Sequence, residues 1–220
     1  MQGAELNVLM ILPTSDCAMH LGFLIGLRYW NFDENLKFFA NSPIISPPSI
    51  YNYYDKFNVQ NNFYGGQIGA DFEYSYCSFF LNIKGKLALG GLCKETTING
   101  RFQTNEFTGA TEKFAGGFFA LPTNIGRHRK TRFSVLPEVD LNIGYQVTDC
   151  LSVQLGYSIL YVTDVIYAGK QIDRNINPSQ SANIYFTPTP NLVGEPSPKA
   201  KMRTEGLWAQ GFNAGLEFKF

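Results

Sequence analysis

His20 and His128 are the only histidines in the 220-residue chain, and so its only side chains that ordinarily change charge near neutral pH. Serine-type acyl transfer needs a nucleophile and an orienting acid around such a base. Nothing near His20 in the sequence supplies them, and His128 lies in a basic run, GRHRKTR. They read as a polar histidine inside the fold and a surface one, and no catalytic residue is assigned. Cys17, Cys77, Cys93 and Cys150 lack metal-ligand spacing, so no metal is expected. Cys17 and Cys77 fall at the ends of neighbouring strands, where a disulfide is one reading and small turn residues the other. Gly65–Ala70 (GGQIGA) places glycines near a phosphate-loop spacing, but a dinucleotide site needs a strand, a turn and a helix in succession. No helix follows here, so the glycines read as easing strand curvature, and no cofactor is expected.

Two basic clusters remain. Arg127, His128, Arg129, Lys130 and Arg132 form one; Lys199, Lys201 and Arg203 form the other. Guanidinium and ammonium groups pair well with phosphate, so these could clamp an anionic, lipopolysaccharide-like lipid; the other reading is solvated loop charge. Nucleic acid is not an expected partner, because the clusters are short and the net charge is zero.

The elements that carry these residues are legible from composition and periodicity. Charged residues are 16% of the chain, against about 25% in soluble domains, while aromatics reach 15% with 19 Phe and 12 Tyr. Mean hydropathy is only −0.11, and no run of about 18 apolar residues exists to cross a bilayer as a helix. A transmembrane barrel has this profile, since half of each strand is polar.

Seven stretches alternate with period two, the signature of strands. Gly3–Met10 and Cys17–Trp30 come first, the second with Met19, Leu21, Phe23, Ile25, Leu27 and Tyr29 on one face. Asn31–Phe57 is less regular and reads as an excursion, a hairpin extending the sheet. Val59–Ser75 and Ser78–Leu92 form a hairpin whose polar faces set Asp71 and Glu73 opposite or diagonal to Lys84 and Lys86. Asn99–Lys130 reads as a second long loop, followed by Arg132–Gln146 and Leu151–Tyr167. Ala168–Arg203 reads as a third long loop. Thr204–Phe220 then closes the chain with Trp208, Phe212, Ala214, Leu216, Phe218 and Phe220 on one face, broken only by Gln210. Phe212, Leu216, Phe218 and Phe220 suit a carboxy-terminal assembly strand read by the outer-membrane barrel assembly machinery.

Connections therefore alternate short and long, the habit of outer-membrane barrels. The fold expected is all-β, an antiparallel up-and-down transmembrane β-barrel, with residues 1–220 in one domain. Bacterial barrels use even strand numbers. Seven strands and the lack of a basic leader before LNVLMIL predict that a strand and a signal peptide precede Met1. The polar faces put Glu5, His20, Arg28, Asp71, Glu73, Lys84, Lys86, Arg132, Glu138, Asp140, Glu217 and Lys219 toward the lumen. With both signs present, these residues are either a weakly selective channel lining or a salt-bridge network that closes the barrel.

Laid out this way, the chain resembles the β-barrel porin family numbered seven. The resemblance rests on GAELN (3–7), GLRYW (26–30), NNFYGGQIG (61–69) and GKLALG (85–90). It continues through LPTNIGRHRKTRFSVLPEVDLNIGYQVTD (121–149), GYSILYVTDVIYAGKQIDRNINP (156–178) and LWAQGFNAGLEFKF (207–220). It implies an outer-membrane barrel with a leader and first part upstream, and carries no catalytic site or substrate. The function expected is a porin-like passive channel for small solutes in the bacterial outer membrane, not an enzyme. A structural or adhesion barrel with a closed lumen and a soluble all-β binding domain are the alternatives.

Overall fold

The computed structural model describes residues 1–13, 18–45, 48–106, 111–148, 150–181 and 191–218. Seven long strands run antiparallel and up-and-down: β1 (Gln2–Leu12), β2 (Met19–Ile45), β3 (Pro48–Tyr76), β4 (Phe79–Glu106), β6 (Gly126–Thr148), β7 (Leu151–Ile166) and β8 (Thr204–Phe218). A short strand, β5 (Thr111–Ala115), pairs with the far end of β4. β1 and β8 are the two edges, so the sheet is not closed.

One end of the sheet carries the tight connections. Cys77 and Ser78 link β3 to β4, with Cys77 in the left-handed region at φ 53°. At the other end, Asn31–Phe57 forms the expected hairpin extension of the sheet, as regular strand: β2 and β3 stay in register from Met19↔Tyr74 to Ile45↔Pro48. β4 likewise continues through Asn99 to Glu106, taking over part of the expected second loop.

The reason is a reversal of polarity along each strand. Near the tight turns, apolar side chains point outward: Phe23, Ile25 and Leu27 on β2, Ile68 on β3, Leu87 and Leu89 on β4 are exposed. Beyond Tyr29, Tyr64 and Gly91 the outward positions become Asn31, Asn62 and Cys93, which are direct register partners. From there the apolar residues point inward instead, and Phe57, Val59 and Ile98 are buried together with Ala120, Ile166 and Ala168. A second small cluster joins Tyr53, Phe102 and Phe114. One strand thus turns its apolar side chains outward along one length and inward along the next.

The loop that caps this extension is tied to Asp55. Its buried carboxylate accepts the backbone N–H groups of Phe118 (3.1 Å), Phe119 (2.8 Å) and Ala120 (3.3 Å). Burial pushes this carboxyl above its ordinary value, while the three N–H groups pull it back.

Candidate functional site: the inner face of the sheet

The sheet curls strongly enough for β2 to reach β6. Arg28 and Glu138 form an ion pair although β3 and β4 lie between them, three inter-strand steps or about 14 Å of sheet. Glycines permit the curl at its tightest point. Gly65 and Gly90 are register partners, and a Cβ on Gly90 would stand 2.2 Å from the Tyr64 carbonyl oxygen.

The inner face is layered. Nearest the tight turns it is polar: Asp71 pairs with Lys84 at 3.3 Å, directly across the β3–β4 register. His20 and Glu73 are register partners and, with Gly22, Asp71, Asn82 and the apolar Leu9, Ile11 and Leu21, line a 260 Å³ cavity. The next layer is a charge network. Lys86 contacts Glu138, Glu5 (3.1 Å) and Asp140 (3.2 Å), while Arg28 contacts Glu138 and Glu5 (3.7 Å). Gln67 donates to Glu5 at 2.8 Å. Three carboxylates and two cations from four strands thereby share one centre.

The third layer is apolar. Trp30, Phe63, Ala88, Leu92 and Leu136 pack against Leu160, Val162 and Val165 of β7. β7 leaves β6 after Glu138↔Leu160, and Asp164 turns the chain at φ 63°. The end of β7 then crosses the inner face. Ser134 Oγ donates to the Thr163 carbonyl (3.0 Å), and Lys94 Nζ to that of Asp164 (3.0 Å). The Asn61 amide bonds both the N–H and C=O of Ile166 (2.9 and 3.0 Å), and Glu34 accepts from Ala168 N–H at 2.7 Å. The inturned segment is therefore held by side chains from β2, β3, β4 and β6.

Of the twelve residues the sequence puts toward the lumen, Glu5, Arg28, Lys86, Glu138 and Asp140 meet in the charge network. Asp71, Lys84, His20 and Glu73 lie on the turn side of it. Arg132 sits farther along β6, and Glu217 is a register partner of Ser152; Lys219 lies outside the described residues. Sequence reasoning misses the apolar layer. Trp30, Phe63 and Leu92 stand on the same face as the charges, and only their phase against Arg28, Gln67 and Lys86 could have pointed to them.

The outer face is unlike that of a folded soluble domain. Leu6 is 74% exposed, Trp208 71% and Phe212 90%, amid an apolar surface spanning every long strand. A soluble domain rarely exposes such a continuous patch, and the apolar faces do not form the core that the soluble reading required. Aromatics border this surface: Tyr29, Tyr64, Phe133, Tyr161 and Trp208 toward the loops, Tyr74, Tyr76, Phe79 and Tyr145 toward the turns. From Tyr64 to Tyr74, at about 3.3 Å per residue and about 40° of tilt, the band is about 25 Å tall. Gln210, the polar break in β8, accepts a hydrogen bond from the Tyr157 hydroxyl at 2.6 Å.

A family model described as Putative beta barrel porin-7 (BBP7) matches residues 1–220, the whole chain. The chain belongs to this β-barrel porin family. No curated protein and no solved structure matches it. For a member of this family, the height and polarity of the outer band are those required of a wall facing hydrocarbon. Among the described residues, no helix is long and apolar enough to cross a membrane.

The basic clusters separate on folding. Arg127 pairs with Glu95 (2.6 Å), Lys199 with Glu195 (2.5 Å) and Lys201 with Asp173 (3.5 Å), while Arg129 donates to Cys93 Sγ. Lys130 and Arg203 come together with Arg132 in a cleft. Burial raises the Asp173 carboxyl, but the N–H groups of Lys199 and Asn175, with Lys201, outweigh it and hold the group below its ordinary value. Phe212, Leu216 and Phe218 lie on the outer face of β8; Phe220 is outside the described residues. Cys77, Cys93 and Cys150 are free thiols, and the Cys17–Cys77 pairing involves a residue outside those described.

Proposed function

We propose that this chain is the wall of an outer-membrane β-barrel that passes small solutes passively along a polar lumen, narrowed by the charge network and the inturned end of β7. The observation that carries this reading is the opposition of the two faces: hydrocarbon-compatible outside over about 25 Å, and ionic inside over the same residues. With both signs at the narrowing, ion preference is weak, because single-sign rings are what select. A closed structural barrel is the second reading, favoured by the packing of Val162 and Val165 against Trp30 and Phe63.

Single-channel recording of the full-length protein in planar bilayers separates the two. Steady steps, with little preference between K⁺ and Cl⁻, are expected from a narrowed pore. A silent wild type, together with steps from a variant carrying Val162→Ser and Val165→Ser, would establish the closed barrel instead.

A further inference from the structure

Where β7 turns inward, β6 loses its partner on that side, and a cleft of about 560 Å³ opens beside it. Lys94, Lys130, Arg132, Lys170 and Arg203 line it, with Met202 and Thr204. Two carboxylates stand close by, and both are engaged: Glu205 pairs with Lys170 at 3.0 Å, and Asp164 accepts from the Thr204 hydroxyl at 3.0 Å. Lys94 is fully buried and spends one N–H on the Asp164 carbonyl. Among the described residues, no carboxylate lies within ion-pair reach of Lys130, Arg132 or Arg203. Burial, and then the charges of Arg132 and Lys130, depress the Lys94 ammonium against the pull of Asp164. Lys130, Arg132 and Arg203 are thus left without an ion-pair partner among the described residues, while Lys170 has Glu205.

The cleft also has a definite place relative to the apolar band. Arg132 and Lys130 follow directly beyond Phe133, the last outward aromatic of β6, and Thr204 and Arg203 lie just beyond Trp208 on β8. Aromatic girdles sit at headgroup height, so the cations stand level with lipid phosphates; Lys130 and Arg132 share the inward phase of Ser134 and Leu136 and border the gap that β7 leaves beside β6.

We propose that this cleft binds a phosphate-bearing headgroup of an outer-leaflet lipid, with Arg132 and Lys130 as its principal donors. Guanidinium suits phosphate through paired N–H donors, and the ammonium adds a point charge. The site rests on the membrane-wall reading above, so its test scores insertion separately.

The full-length protein is inserted into phosphatidylcholine nanodiscs with or without a diphosphorylated glucosamine lipid, and retained lipid is counted by native mass spectrometry. Insertion and folding are checked by heat-modifiable gel mobility. The wild type should retain the phosphorylated lipid, and K130Q/R132Q should weaken retention by about 10-fold or more, as loss of charge-assisted hydrogen bonds implies. R127Q/K199Q, whose cations are already paired with glutamates, should retain it as the wild type does. A folded, inserted K130Q/R132Q variant with undiminished retention overturns the proposal. So does a wild type that binds inorganic phosphate but retains no lipid, which would make this a site for soluble anions. Failure of insertion itself would instead refute the membrane-wall reading.

Discussion

β2, β3 and β4 each cross two environments, and comparing the two lengths of one strand is instructive. Near the tight turns, Ile68 on β3 points outward and Gln67 inward; farther along, Asn58 points outward and Phe57 inward. Backbone, pairing and register are continuous through the change. Only the side of the sheet that holds the apolar residues reverses. Hydrogen bonding therefore builds the strand irrespective of surroundings, and the hydrophobic term decides which way it faces.

The sharpest way to break the comparison is to remove the inner charges that match the apolar exterior. Glu138→Ala removes the more buried of the two carboxylates that Arg28 and Lys86 share, leaving them Glu5, and stripping one member from a buried ion pair costs about 3–5 kcal/mol. Urea unfolding in lipid vesicles should register a loss of that size.

Next comes a paired substitution on the outer face of one strand. Ile68→Arg puts a charge into the apolar band and should cost about 2–4 kcal/mol near mid-bilayer. Asn58→Arg, outward on the same strand beyond the band, should stay within about 0.5 kcal/mol. Equal effects would mean that the two lengths do not meet different media.

Val165→Ala tests the inturned segment. It removes two buried methyl groups and should cost about 2 kcal/mol, with faster amide exchange at Ile166 and Ala168 as the local sign.

The smallest effect is one of pH, and it has opposite signs at the two loop anchors. Asp173 is held below its ordinary value, so its contribution is complete above that ordinary value and disappears as pH falls through the lowered one. Burial pushes Asp55 above its ordinary value, so its net contribution to stability is complete below that ordinary value and is lost as pH rises through the raised one. Hydrogen exchange at low and neutral pH should show the Asn175 and Lys199 amides, which Asp173 accepts, loosening in acid, while global stability carries the opposite-signed Asp55 contribution.

Much of this architecture was legible in the sequence. Period-two alternation marks all seven long strands, and the short turns fall where it breaks. The continuation of β2 through Asn35 and Phe38 was legible only as a less regular hairpin extension, because the alternation there inverts rather than stops. A reader following one apolar phase sees it end at Tyr29. The charge network was half legible: alternation puts Glu5, Arg28, Lys86, Glu138 and Asp140 on one face, but that Lys86 serves three carboxylates follows from curvature. The cleft was least legible. Arg132 and Lys130 meet Lys94 and Arg203 only because Asp164 turns β7 inward, and nothing around VTDV signals that turn.

The length of β2 beyond Tyr29 has a geometric consequence. From Trp30 to Ile45, at about 3.3 Å per residue and about 40° of tilt, the hairpin tip stands about 40 Å clear of the hydrocarbon. A nitroxide on Asn41 should then be relaxed by a water-soluble paramagnet and not by dissolved oxygen in the acyl chains.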